Sequence, residues 1–111
     1  PGTVVALGGA EEITAVNEEL SNKVFGVVSE KPAYLMNAGQ ENGAPVAVAG
    51  RVPVRVLGRI NKGDRLVSAG NGVARAASKE ESINAFNVIG RAIQTKQTTG
   101  EGTVEAFVTI N

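Results

Sequence analysis

Lys62-Gly63-Asp64-Arg65-Leu66-Val67-Ser68-Ala69-Gly70-Asn71-Gly72-Val73-Ala74-Arg75-Ala76 is the stretch that decides the fold. Asn71-Gly72 is a strong two-residue hairpin signal. A type I′ turn needs positive φ at both central positions, which Asn and Gly tolerate best. Residues 65–68 and 73–76 therefore read as two strands, entered through a polar turn at 61–64.

The same order of elements occurs earlier in the chain. A shift of 61 residues pairs Gly2 with Gly63, Gly9 with Gly70, Ala15 with Ala76, Glu19 with Glu80 and Ser21 with Ser82. After an insertion of three residues, Val24 pairs with Val88 and Gly26 with Gly90. Each half reads strand, turn, strand, acidic helical turn, strand with a central Gly, loop, strand. The bland alternative is repeated hairpin punctuation without common ancestry.

Strands are expected over 3–7, 12–16, 23–29, 45–49, 51–57, 88–93 and 103–110, with a short apolar stretch at 33–36 and a loop over 37–44. Within 51–57, Val52, Val54 and Val56 fall on one face and Arg51, Pro53, Arg55 and Leu57 on the other. Pro53 favours an edge position or a bulge, because it has no N–H to give to a ladder. Ser78-Lys79-Glu80-Glu81 fits a capping box and predicts one short helix near 79–86, with Ile83 and Phe86 facing the core.

The expectation is a mainly β fold: a small barrel or sandwich of two pseudo-repeated halves, about 1–60 and 61–111, in a single domain over 1–111. Each half leaves strand edges that the other can cover. A start at Pro1 instead of Met points to a fragment of a longer chain.

Composition narrows the chemistry. Eleven basic and eleven acidic residues cancel, which gives no argument for nucleic acid as partner, and no apolar run is long enough for membrane insertion by a helix. The chain has no Cys and no His. Disulfides, thiolate chemistry, Ser-His triads and Cys- or His-ligated metals are thereby excluded. Asp64 is the single Asp, and the adjacent pairs Glu11-Glu12, Glu18-Glu19 and Glu80-Glu81 read as solvated turn residues instead of converging carboxylates. Gly70-Asn71-Gly72-Val73 lacks the third glycine of a dinucleotide fingerprint and leads into a strand. The expectation is no enzyme, no cofactor and no metal.

Two features are candidates for binding or subunit contact. Arg51, Arg55 and Arg59 share one parity along an extended segment and offer a basic stripe to an anionic ligand or a neighbouring subunit. The alternative is a charged edge strand that deters unwanted pairing. Tyr34 and Met36, the single Tyr and single Met, suit a contact surface, with core filling as the alternative.

Phe25-Gly26-Val27-Val28-Ser29-Glu30-Lys31-Pro32-Ala33, preceded by Pro1-Gly2-Thr3-Val4-Val5, resembles a segment of bacteriophage and prophage tail-fibre and appendage proteins. Val46-Ala47-Val48-Ala49-Gly50-Arg51-Val52-Pro53-Val54, Lys62-Gly63-Asp64-Arg65-Leu66-Val67 and Val88-Ile89-Gly90-Arg91-Ala92 continue the likeness over nearly the whole chain. The opening part is also similar to the phage autoproteolytic chaperone domain, although no residue here matches its catalytic set. The resemblance implies a structural or host-attachment module of a virion appendage, located in the virion. It implies a homo-oligomer, with a trimer favoured, in contact with other virion proteins and with a host surface glycan or protein. The residue-level alternative is a β-barrel module that binds a small ligand or glycan.

Overall fold

The computed structural model describes residues 1–7, 13–15, 24–28, 35–36, 44–79, 81 and 87–110. The chain is mainly β. Its strands are β1 (Val4–Leu7), β2 (Ile13–Ala15), β3 (Val24–Val28), β4 (Leu35–Met36), β5 (Ala44–Ala47), β6 (Ala49–Leu57), β7 (Arg65–Gly70), β8 (Val73–Ala76), β9 (Gly90–Ala92) and β10 (Glu101–Thr109). An open sheet runs β2-β1-β3-β5-β4, and a closed barrel runs β10-β6-β8-β7-β9. The helix expected near 79–86 falls outside the described residues except for Lys79 and Glu81, which occupy a turn and a bend.

The repeat read in the sequence reappears as matching hydrogen-bond registers. In β1–β2, Val5 lies opposite Ala15, Ala6 opposite Thr14 and Leu7 opposite Ile13. In β7–β8, Leu66 lies opposite Ala76, Val67 opposite Arg75 and Ser68 opposite Ala74. These are the same pairs displaced by 61 residues. The third strand follows suit, with Gly26 opposite Val5 and Gly90 opposite Leu66. The entry turns agree as well: Gly2 N–H donates to the Val28 carbonyl (2.6 Å) and Gly63 N–H to the Ala92 carbonyl (2.7 Å). Both glycines hold positive φ, 86° and 94°, which an L side chain rarely adopts.

β6 makes the two halves different. It runs antiparallel to β10 along its whole length, from Ala49 opposite Thr109 to Leu57 opposite Glu101. On its other side it meets β8 in parallel at one position, Val56 opposite Ala74. That contact closes the second half into a barrel, while the strands of the first half form an open sheet among the described residues. Pro53 therefore sits inside a barrel strand and not on a free edge. Its position is nevertheless explained by geometry. Arg55 N–H points away from β10 and donates to the Gly2 carbonyl (2.9 Å), so the N of Pro53, two residues earlier, faces the same side, where β8 is not paired.

Inward-facing residues of both assemblies form one core. Val52, Val54, Val56, Leu66, Ala74, Ala92, Val104, Ala106 and Val108 fill the barrel, and Val4, Val27 and Ala47 of the open sheet join the same cluster. Each fully buried valine contributes about 1.5–3 kcal/mol relative to exposure. Small aliphatics suit a narrow barrel, where aromatic rings would not fit. Two further contacts tie the halves together. Val4 N–H donates to the Gly72 carbonyl (2.8 Å), and Ile110 N–H to that of Val48 (3.0 Å).

Candidate functional site

Of the candidate arginines, Arg51 and Arg55 share a face and Arg59 does not continue their stripe. Arg51 and Arg55 do lie on the outer face of β6, as the alternation required. Arg51 is exposed, with its Nε 3.8 Å from Glu105 Oε2. Arg55 is committed to a structural tie, since its guanidinium donates to Thr3 Oγ1 (3.1 Å) and pairs with the Glu101 carboxylate. Arg59 lies beyond the end of β6, past Gly58 at φ 85°, so the strand parity no longer applies to it. It instead lines an open depression with Asn61, Lys96 and Gln97. Met36 contributes backbone to β4, opposite Ala44. Tyr34 lies outside the described residues.

A different row comes together on the barrel exterior. Arg51 on β6 lies opposite Phe107 on β10, Phe107 opposite Arg91 on β9, and Arg91 opposite Arg65 on β7. Directly opposed residues project to the same face, so three arginines and a phenylalanine run in line across four strands. All four are exposed, Phe107 by 55%. Among the described residues Arg65 and Arg91 make no ion pair. Like charges placed directly opposite each other destabilise a ladder. A closed barrel also has no free edge for charges to protect, which removes the edge-strand explanation for this row.

The row ends in an open cleft of about 400 Å³ lined by Gly63, Asp64, Arg65, Ala77, Ser78, Lys79, Glu81 and Arg91. Among the described residues, both acidic groups of the cleft accept hydrogen bonds. Asp64 Oδ2 accepts the Asn61 N–H (2.8 Å), which closes the turn into β7. The Glu81 carboxylate receives both terminal nitrogens of Arg75 and the Ser78 N–H (2.7 Å). The return bond from Glu81 to Ser78 is the one the capping-box spacing called for. Hydrogen bonds from Arg75 and Ser78 hold the Glu81 carboxyl down at about 2, well below the usual 4.5. Arg75 balances Glu81, and Asp64 keeps its charge, so Arg65, Lys79 and Arg91 still leave the described lining with an excess of positive charge.

The sequence pointed to Arg51 alone among these four, and no pattern within a single strand shows that Arg65, Arg91 and Phe107 join it in one line. That depends on the register of three separate strand pairs. The available signal was the clustering of every arginine of the chain between positions 51 and 91 in an otherwise neutral molecule.

Comparison with known proteins adds no relative: no family model, no curated protein and no solved structure matches the chain.

Proposed function

We propose that the chain is a non-catalytic structural and host-attachment module of a bacteriophage virion appendage, working in the virion as a homotrimer alongside other virion proteins. The observation that carries this reading is the asymmetry between the halves. The second half is closed by β6, whereas the first remains an open sheet with β2 and β4 at its edges among the described residues. Unpaired strand edges are templates for pairing with another chain. Packing of three copies through the open sheets would satisfy those edges and leave the barrels outward. The resemblance of its sequence phrases to those of appendage proteins supports the same setting.

Light scattering at micromolar concentration tests the assembly. A mass of three chains is expected, and a strict monomer overturns the trimer. The alternative, a barrel module that binds a small ligand or glycan, is favoured by one observation of its own, the outer-face arginine row.

A further inference from the structure

We propose that the outer barrel row Arg51-Phe107-Arg91-Arg65, ending at Lys79, is a binding site for a carboxylated oligosaccharide. Four facts point there together. The row is straight, because each member lies directly opposite the next in an antiparallel pair. It is exposed, with Phe107 among the two large apolar side chains the described surface leaves open. It is electrostatically unfavourable on its own, since Arg65 and Arg91 stand directly opposite each other. It opens into a cleft where, among the described lining residues, Arg75 and Ser78 engage the Glu81 carboxylate and Asp64 accepts only the Asn61 N–H.

The ligand class follows from the order of groups. Guanidinium forks recognise carboxylates through paired hydrogen bonds. An anion bridging Arg65 and Arg91 would convert their repulsion into two attractive contacts. Phe107, standing between Arg51 and Arg91, offers an apolar ring face to the C–H side of a pyranose. Neighbouring strands repeat about every 4.8 Å, close to the length of one sugar unit, so successive acidic residues could meet successive cations. A flexible acidic peptide carries no flat apolar face for Phe107. The proposal stands on barrel geometry and does not require the appendage reading or the trimer; light scattering speaks to those, and either can fail alone.

The test is calorimetric titration with an oligogalacturonate and an oligosialate, beside the methyl ester of the first and tetraglutamate. At least one acidic saccharide should bind saturably and weaken as salt is raised, because the contacts are exposed charges. Its ester should not bind. Arg91→Gln should weaken binding by roughly tenfold or more while leaving the melting temperature equal or higher, since a like-charge contact is removed. Phe107→Ser, at an exposed position, provides a second variant with the same expected loss of binding. Failure of both saccharides to bind overturns the proposal. So does unchanged binding in a folded Arg91→Gln or Phe107→Ser variant, and so does tetraglutamate binding as tightly as the saccharides.

Discussion

Gly90 packs against the backbone of Phe107 so closely that a Cβ on Gly90 would collide with the Phe107 carbonyl oxygen. The repeat places Gly26 in the same relation to Ala47, whose carbonyl oxygen would lie 2.8 Å from an added Cβ. In both halves the third strand crosses its neighbour where no side chain fits, so the central glycine of each half is a packing requirement.

Gly90→Ala should therefore destabilise the protein by about 3 kcal/mol or more, since the obstacle is backbone that must move in a closed barrel. Gly26→Ala should cost less, because the sheet it sits in is open and can yield. Denaturant unfolding of the two single variants checks the order; equal costs would contradict it.

Asn71 and Gly72 both hold positive φ, 55° and 74°, as a type I′ turn demands. Asn71→Gly should be nearly neutral, while Asn71→Val should cost about 1–2 kcal/mol through left-handed strain. Gly72→Ala should be worse than strain alone predicts, because its Cβ would meet Thr3 Cγ2 at 2.8 Å. Thermal melts of the three variants separate turn strain from this contact between the halves.

Lys96 closes one end of the barrel with its charge. Its Nζ donates to the carbonyls of Gly58 (2.7 Å), Thr98 (2.8 Å) and Gly100 (2.5 Å). Lys96→Met keeps the apolar stem but leaves these acceptors to water, and should cost about 1–2 kcal/mol, since the site is partly exposed. Hydrogen exchange should quicken first at Gly58, whose N–H donates to Gly100, if the lysine holds those two segments together.

Glu81 supplies a pH signature. Its folded pKa lies below its unfolded value, so the stabilisation is fully present above about 4.5 and is lost as pH falls through about 2. Glu81→Gln should thus be less stable than the parent at neutral pH and indistinguishable from it near the acid limit. An NMR titration should find the carboxyl midpoint near 2 and, in Arg75→Gln, a return toward 4.5.

How much of this was legible beforehand differs between elements. The sequence alone determined the strands, the Asn71-Gly72 turn, the Ser78–Glu81 bond and the inward set Val52, Val54 and Val56, because these depend on neighbours within a few residues. It also carried the repeat, since spacing preserves register when both copies keep their turn lengths. The candidate stripe of Arg51, Arg55 and Arg59 was drawn from parity, and parity ends at Gly58, where positive φ turns the chain. Only the tertiary structure decided that β6 closes the barrel, because closure needs β6 to pair along its length with the distant β10 and to meet β8 where Val56 lies opposite Ala74. It likewise decided that Arg51, Phe107, Arg91 and Arg65 stand in one line. Their alignment is set by long-range registers, which no local pattern of residues encodes.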